Sequence, residues 1–386
     1  MDTAINIVII LMLGMLVSWL AKRLNQPAAV WLVLLGVVIG PPMLGWIETN
    51  DTNYFIGELG VVLLLGMAGL HIGLGQLKDA GMPGIWVALS GILFCFAGGF
   101  AFTSWWGSPF EESLYVGTIL TATSIGVSVQ VLQQYGLIDH NIGRVVIAAA
   151  VIDDVIALYL LAVAHGVLTD GLSVGGFVSS IVIAGVVLVA VFVLCRTLTR
   201  ALVIKPVLLK PGVTLFYAVV LMIVTGLLTQ KLGYSAVVGS FFAGLGIGEV
   251  LPANIRQRLL DQFSKFIFIL VPFFFVLIGA RAQWDVLHDP DMPTLFIGLT
   301  IVAIIGKVIG GALGAYSNRR VAQRLLIGAS MVPRGEIALV AAGLGFTQGH
   351  ITHHVLIALI LVVITIAVTG PLIVAVLARY SEDLRN

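Results

Sequence analysis

Charged residues are scarce in this chain. Lys, Arg, Asp and Glu together make up 10% of its 386 residues, whereas 59% of the residues are hydrophobic. Soluble domains of ordinary composition carry about 25% charged residues, so this balance excludes a soluble globular protein and indicates a polytopic membrane protein. The net charge of +1 does not imply nucleic acid as a partner, because in a membrane protein the location of the charges carries the information.

Cysteine is also scarce, and the first hydrophobic run does not have the pattern of a cleavable leader. Only Cys95 and Cys195 occur, each within an apolar stretch, and two isolated cysteines supply neither a disulfide framework nor a metal-ligand spacing. We interpret both as small apolar side chains. Asp2 precedes the first hydrophobic run and Lys22 and Arg23 follow it, which is the reverse of a secretory signal peptide, so we expect this run to remain as a span.

Long apolar runs make up most of what is present. A helix needs about 20 apolar residues to cross the hydrocarbon core, and the chain offers about thirteen such runs. We therefore predict an all-α polytopic membrane protein of about thirteen transmembrane helices, forming a single membrane transporter domain over residues 1–386. The predicted spans are 3–21, 28–47, 55–73, 83–105, 113–134, 141–168, 175–198, 211–231, 234–249, 261–281, 293–316, 320–347 and 352–380.

The basic residues predict the orientation of these spans. With the N-terminus outside, most of the 20 lysines and arginines fall on the cytoplasmic side, as the positive-inside rule requires. Acidic residues such as Asp170, Asp285 and Asp291 collect on the opposite side. We therefore predict an N-terminus outside and a C-terminus inside. Lys307 and Arg334 fall within predicted spans.

Two predicted spans contain residues that interrupt a helix. The fifth span carries Thr-Ala-Thr-Ser-Ile-Gly at 121–126, and the twelfth carries Met-Val-Pro-Arg-Gly-Glu at 331–336. Unwound backbone at membrane depth is tolerated only where protein or a wet cavity satisfies its polar groups. The two spans are an odd number apart and run in opposite directions. This predicts an inverted repeat, residues 1–168 and 211–380 linked by the span 175–198, with a site where the two broken helices cross.

Ionisable residues lie deep within two other predicted spans. Asp153 and Asp154 occupy the sixth span, and Lys307 occupies the eleventh. A carboxylate at the bilayer centre costs about 2.5 to 3.5 kcal/mol on insertion scales, so an acidic pair there indicates transport or proton relay. The rise of 1.5 Å per helical residue brings these residues to the depth of the two interruptions. Neighbours on a helix point about 100° apart, so one aspartate can pair with Lys307 while the other faces an aqueous pocket.

This set of side chains predicts a carrier that exchanges cations for protons. A hard cation prefers oxygen ligands, which a carboxylate, the hydroxyls of Thr123 and Ser124 and freed carbonyls can supply. A proton and a cation would compete for the same carboxylate, and competition at one alternating site is sufficient for exchange. Two membrane aspartates could also serve a protease, but that chemistry needs carboxylates from different helices around one water. We therefore predict neither enzyme activity nor a cofactor.

Together these motifs resemble the monovalent cation/proton antiporters, most closely the NapA-type branch. The likeness rests on Ile-Asp-Asp-Val at 152–155, the two interrupted segments and Lys307, and it covers essentially the whole chain. It implies thirteen spans with a dimerisation domain and a moving core domain, elevator-like exchange and a homodimer. It also implies that Asp154 carries the cation, here sodium, and the proton, and that Asp153 pairs with Lys307.

The resemblance implies further roles and a setting. Relatives with an aspartate pair and a lysine are generally electrogenic, so we expect proton-driven extrusion of sodium, and of lithium, across a bacterial-type cytoplasmic (inner) membrane. Thr123 and Ser124 are expected to line the site. Arg334 and Glu336 either neutralise helix ends at the break or pair with each other. The residues expected to support the broken helices are Thr121, Pro333, Arg334 and Glu336.

Some features leave alternatives open. His71 stands where many relatives have an acidic residue, and the chain ends at Asn386 without the soluble regulatory domain of the potassium-efflux relatives. Potassium/proton exchange is an alternative substrate assignment, and a sodium-coupled organic solute carrier or a non-transporting sensor is an alternative of another class. For the outer histidines a solvated loop is favoured over pH sensing or weak metal binding. These histidines are His350, His353 and His354.

Overall fold

Every element of regular secondary structure in the described part of this computed structural model is helical. The structure describes residues 3–24, 27–41, 43–48, 51–72, 81–124, 132, 137, 140–170, 174–203, 211–281, 284–318 and 320–382. The helices are α1 (Thr3–Arg23), α2 (Ala28–Ile39), α3 (Asp51–His71), α4 (Gly81–Trp106), α5 (Phe110–Ile119), α6 (Asn141–Asp170), α7 (Val174–Val203), α8 (Pro211–Lys231), α9 (Ala236–Val250), α10 (Ala253–Arg281), a 3-10 helix (Trp284–His288), α11 (Met292–Gly314), α12 (Val321–Ser330), α13 (Glu336–Thr347) and α14 (His353–Glu382). The predicted all-α class is confirmed.

Nine helices within the described ranges are long and apolar enough to cross a membrane, and three more are shorter but apolar. The nine are α1, α3, α4, α6, α7, α8, α10, α11 and α14, and the three are α2, α9 and α13. Helices suit a bilayer, because a helix satisfies its backbone polar groups internally. Each predicted span overlaps at least one helix of the structure. The fifth span overlaps the short helix α5, and the twelfth contains the short helices α12 and α13.

The second predicted span, 28–47, is wrong in its second half. Its helix ends at Ile39, and the N–H of Gly40 closes the last turn by donating to the carbonyl of Gly36. Pro41 follows, and a proline ring and its missing N–H oppose continuation of a helix. Gly45 then adopts a φ of 60°, which suits a glycine in a turn.

Both predicted interruptions are present. α5 ends at Ile119 and residues 122–124 are not helical, while α12 ends at Ser330 and residues 332–335 are not helical before α13 begins. Pro333 provides no backbone donor in the second interruption. Ile125 and Gly126 lie outside the described residues, as does most of the remainder of the fifth predicted span.

The chain forms two compact units. The first unit comprises Met1–Met15, Ile47–Gln76 and Leu158–Leu277. The second unit comprises Leu16–Trp46, Leu77–Ala157 and Ile278–Asn386. Each unit takes segments from both halves of the chain, so the units do not coincide with the predicted repeats, and the inverted repeat stays a prediction. Both interruptions belong to the second unit.

Glycines bring helices together within the first unit. A methyl group added at Gly244 of α9 would collide with the carbonyl of Gly66 in α3, and one added at Gly69 would collide with the carbonyl of Phe241. Ser240 Oγ adds a hydrogen bond to the carbonyl of Val62 at 2.6 Å. Helices associate in lipid through packing and hydrogen bonds, so this contact depends on residues without side chains.

A similar contact joins α4 and α11 within the second unit. A methyl group at Gly306 would lie 2.9 Å from Cys95 Sγ, and one at Gly310 would lie 2.7 Å from the carbonyl oxygen of Ser90. Ser90 Oγ donates to the carbonyl of Gly310 at 2.6 Å. The close approach fixes the helix that carries Lys307.

Candidate ion-binding site

The two adjacent aspartates of α6 have different environments. Asp153 has no exposed surface, whereas Asp154 is partly exposed. Their side chains leave the helix about 100° apart, so one can face the protein interior while the other reaches the edge of the packed unit. The two carboxylates therefore meet different partners.

Asp153 and Lys307 form a buried ion pair. Lys307 Nζ donates to Asp153 Oδ1 at 2.7 Å, and neither side chain is exposed. The stem of Lys307 runs beside Gly91 of α4, where a methyl group would lie 3.6 Å from Lys307 Cδ. A buried charge is tolerated when it is paired, and removing one partner leaves the other uncompensated. The pair ties α6 to α11.

Two carboxylate oxygens at this site have no hydrogen-bond partner among the described residues. Asp153 Oδ2 and Asp154 Oδ1 are both buried and accept no hydrogen bond from the described residues. A buried acceptor without a partner costs about 1 to 3 kcal/mol, and more when it is charged. A proton or a metal cation would satisfy either oxygen.

The two interruptions contact each other and form what we call the helix-break joint, residues 121–124 and 331–335. The backbone N–H of Ser124 donates to the carbonyl of Pro333 at 2.7 Å. Thr123 Oγ1 donates to the carbonyl of Met331 at 3.3 Å. These bonds satisfy backbone groups that the broken helices leave free, as unwound backbone in a membrane requires.

The hydroxyl of Thr121 forms a hydrogen bond within its own segment. Its Oγ1 donates to the carbonyl of Thr118 at 2.7 Å, near the end of α5. The structure gives no hydrogen bond between Asp154 and the hydroxyl of Thr123 or Ser124, all of which are described. Thr123 is buried and Ser124 is partly exposed, so Ser124 is the more accessible of the two residues.

Arg334 lies buried at the joint. Its Nη1 donates to the carbonyl of Ala122 at 2.6 Å, and its Nη2 contacts the carbonyl of Ala303 at 3.5 Å and Cys95 Sγ at 3.7 Å. Cations are favourable near carbonyls at a helix C-terminus, and Ala122 lies three residues beyond the end of α5. These contacts favour the neutralisation of a helix end over a pair with Glu336, and the role of Arg334 stays a prediction.

Glu336 is not among the hydrogen-bond partners that the described residues provide for Arg334. It begins α13 and is exposed. Asp154 interacts electrostatically with the charges of Asp153, Glu336 and Lys307. An acidic residue in the first turn favours the helix N-terminus. The contact between Arg334 and Cys95 is not predictable from the sequence, because nothing in an isolated apolar cysteine indicates an arginine 239 residues away.

The predicted solvated loop is correct for His350, which lies in the turn between α13 and α14, but wrong for His353 and His354, which begin α14; all three are partly exposed. His350 stacks on Tyr115 with ring centres 4.8 Å apart, and His353 packs edge-on against Phe346 at 4.6 Å. His354 Nε2 lies 3.1 Å from Asp289 Oδ2. Hydrogen bonds from the backbone N–H of Asp291 and from His354 lower the pKa of Asp289.

Neither the outer histidines nor His71 forms a metal site in the described part of the chain. No group of three or more His, Cys, Asp or Glu side chains suited to a metal ion occurs there. His71 ends α3 in the first unit and is exposed. The structure thus assigns no ligand role to these four histidines.

Comparisons with known proteins agree with the architecture. The family model of the transmembrane sodium/hydrogen exchangers matches residues 7–379. The Na(+)/H(+) antiporter of Enterococcus hirae is 31% identical over 369 residues, which cover 92% of this chain and 93% of that protein. The Na(+)/H(+)-K(+) antiporter GerN of Bacillus cereus is 30% identical over 376 residues, covering 95% and 94%. The structure of the sodium proton antiporter MjNhaP1 from Methanocaldococcus jannaschii at pH 8 has a TM-score of 0.73, covers 96% of each chain and is 19% identical, which shows the fold alone.

Proposed function

The chain belongs to the transmembrane sodium/hydrogen exchanger family, and from this premise we propose that it is a secondary active antiporter that exchanges sodium or lithium for protons. The observation that carries this proposal is the pair of open, buried carboxylate oxygens beside the ion pair of Asp153 and Lys307. A proton or a metal cation would satisfy such a site. The names of the relatives support sodium as that cation, and lithium is proposed beside it.

Asp154 carries the cation and the proton in this proposal. Asp154 is partly exposed as a residue, and its Oδ1 is buried and has no hydrogen-bond partner among the described residues. A hard cation binds the ionised carboxylate together with hydroxyl and carbonyl oxygens of the joint. A proton on the same carboxylate removes the charge that binds the cation. The two occupants therefore exclude each other, and a site that opens to each side in turn exchanges them.

The ion pair of Asp153 and Lys307 makes the exchange electrogenic in this proposal. If the pair breaks during the cycle, Asp153 takes up a second proton. Two protons then enter for each sodium ion that leaves, and one net charge crosses the membrane. The membrane potential contributes about 2.3 kcal/mol per 100 mV to that charge movement.

We propose that access alternates by an elevator-type movement of the second unit. The support is that Asp153, Asp154, Lys307 and both interruptions all belong to this one unit. A site built within one unit can move across the membrane with that unit while its residues keep their relative positions. We further propose a homodimer in a bacterial-type cytoplasmic membrane, with the N-terminus outside and the C-terminus inside, from the family resemblance and the distribution of basic residues.

Potassium/proton exchange is the second candidate. The observation in its favour is the relative from Bacillus cereus, whose name includes potassium as well as sodium. The same carboxylate would carry either cation, because both are hard ions that prefer oxygen ligands.

Proton flux in proteoliposomes tests the proposal. A pH gradient is imposed, and sodium, lithium, potassium and choline are added in turn to wild type, Asp154→Asn and Asp261→Asn. Asp261 is an exposed acidic residue of α10 and receives the same chemical change, so it serves as the control. We expect sodium and lithium to dissipate the gradient in wild type and Asp261→Asn but not in Asp154→Asn.

Each other outcome contradicts a part of the proposal. Sodium-dependent flux that persists in Asp154→Asn shows that Asp154 is not the carrier. A response to potassium alone replaces sodium as the substrate. No response of folded wild type to any cation overturns antiport and favours a solute carrier or a sensor.

A further inference from the structure

Gly335 lies against Ser124 across the helix-break joint. A methyl group added at Gly335 would lie 2.8 Å from Ser124 Oγ and 2.9 Å from Ser124 Cβ. Carbon atoms in contact are separated by about 3.5 to 4.0 Å, so both distances would force a displacement. The Ser124 side chain can keep its place only because residue 335 has no Cβ.

The backbone around this contact is held from both sides. The N–H of Ser124 donates to the carbonyl of Pro333, two residues before Gly335. Arg334, the residue between them, donates to the carbonyl of Ala122. Rotation about the Ser124 Cα–Cβ bond moves Oγ but not Cβ, so a methyl group at residue 335 would displace the Ser124 hydroxyl and also strain the bonds that hold the two segments together.

We infer that Gly335 is a positioning residue that sets the place of the Ser124 hydroxyl in the cation site, and with it the discrimination between lithium and sodium. This inference rests on the proposed function, since it takes Ser124 as a cation ligand. A smaller cation needs its oxygen ligands closer and in stricter geometry. Displacement of the hydroxyl therefore weakens lithium binding more than sodium binding.

A purely structural effect of residue 335 gives a different result. Gly335 also precedes the first residue of α13 as its N-cap, a position where glycine is preferred over alanine. An alanine there could lower the stability of the helix without touching Ser124. Such a loss reduces the amount of active protein and leaves the ratio of the KM values for lithium and sodium unchanged.

A double-mutant cycle separates these effects. KM and kcat of lithium- and sodium-dependent proton flux are measured in wild type, Gly335→Ala, Ser124→Gly and the double variant. We expect Gly335→Ala to raise KM for sodium about fivefold, the size expected for one displaced polar ligand, and KM for lithium by more. In the Ser124→Gly background both atoms that the methyl group would strike are gone, so Gly335→Ala has no further effect on KM.

Gly370→Ala is the matched control. A methyl group at Gly370 would lie 3.1 Å from Pro333 Cγ, so it crowds the second interruption without being placed against Ser124. We expect this variant to keep the wild-type ratio of the KM values for lithium and sodium. The same change of ratio in Gly370→Ala would overturn the inference, because general crowding would then explain it.

The remaining outcomes are also decisive. Unchanged KM values in folded Gly335→Ala, or an effect of the same size in the Ser124→Gly background, overturns the inference while wild-type exchange still supports the proposed function. Absence of cation-dependent flux in wild type overturns the proposed function instead. If Gly335→Ala alone does not fold, recovery of folded protein in the double variant supports the contact, and no recovery overturns it.

Discussion

At the scale of single residues, the ammonium group of Lys307 donates a hydrogen bond to one carboxylate of the described part of the chain, that of Asp153. Its Nζ lies 2.7 Å from Asp153 Oδ1, with both groups buried. Truncating one member of a buried pair typically destabilises a protein by about 3 to 5 kcal/mol, because the other member stays charged. A carboxylate escapes that penalty when it takes up a proton. When Lys307 is removed, we therefore expect the buried carboxyl group of Asp153 to stay protonated.

We expect Lys307→Gln to exchange sodium for protons without moving net charge. A carboxylate that stays protonated throughout the cycle releases no second proton, so one proton balances one sodium ion. Sodium-dependent flux in proteoliposomes, measured at several imposed membrane potentials, checks this. Lys265→Gln, which changes an exposed lysine of α10, is the control and should respond to potential like wild type. Wild-type voltage dependence in Lys307→Gln would contradict the expected role of the pair.

At the scale of elements, one carboxylate serves two helix N-termini. Glu112 lies in the first turn of α5, and its Oε1 accepts the backbone N–H of Thr352, directly before α14, at 2.6 Å. Helix N-termini leave N–H groups unsatisfied and favour negative charge. Tyr115 adds a hydrogen bond from its hydroxyl to Gln348 Oε1 at 3.1 Å. These contacts hold the half-helix that ends at the joint.

Glu112→Ala should therefore destabilise the protein. Loss of the carboxylate leaves the N–H of Thr352 without that acceptor, at a cost of about 1 to 3 kcal/mol. Thermal unfolding in detergent, followed by size-exclusion chromatography, measures the change in Tm. Glu111→Ala removes the exposed neighbouring carboxylate and should change Tm far less. Equal losses of Tm in the two variants would show that the bond to Thr352 contributes nothing.

Local signals predicted the broken elements, but not every boundary. Pro333 and the hydroxyl-rich run at 121–124 indicated the two interruptions because they act on their own backbone. The end of α2 was missed, although Gly40 and Pro41 indicate it, because the apolar residues that follow extend the hydrophobic run. Hydropathy measures the tendency to enter lipid and carries no information about which residues remain helical.

The site was predicted less completely than the fold. Depth within the spans identified Asp153, Asp154 and Lys307 as a group, but helix geometry alone left open which aspartate pairs with the lysine. The contacts of Arg334 with Ala122, 212 residues away, depend on tertiary packing that no local pattern records. The transport roles of these residues stay predictions.

At the scale of the whole molecule, every residue of the candidate site belongs to the second unit. The segments of this unit come from three stretches of chain, from Leu16 to Asn386, so the site is assembled by topology rather than by one local motif. The orientation of the spans decides which end of the unit faces the cytoplasm. That orientation rests on the distribution of basic residues.

Labelling of single cysteines tests the orientation. Both native cysteines are buried, so they should give little background with a membrane-impermeant maleimide. We expect the reagent to label Asp285→Cys in intact cells and Arg258→Cys only after the membrane is opened, since both parent residues are exposed and are predicted on opposite sides. Labelling of Arg258→Cys alone in intact cells would invert the orientation. Labelling of both there would show an error in the number of spans between them.

The hydrogen bond between Arg334 and Ala122 joins two segments that the ribosome synthesises at different times. A ribosome adds about 5 to 20 residues per second, so the 212 residues between them take about 10 to 40 seconds to synthesise. The first interrupted helix reaches the bilayer long before the arginine that satisfies its carbonyl exists. Until then its polar break needs water, lipid headgroups or the insertion machinery as a partner. A chain truncated before the second interruption should therefore remain unfinished at this point and be open to recognition by a membrane protease.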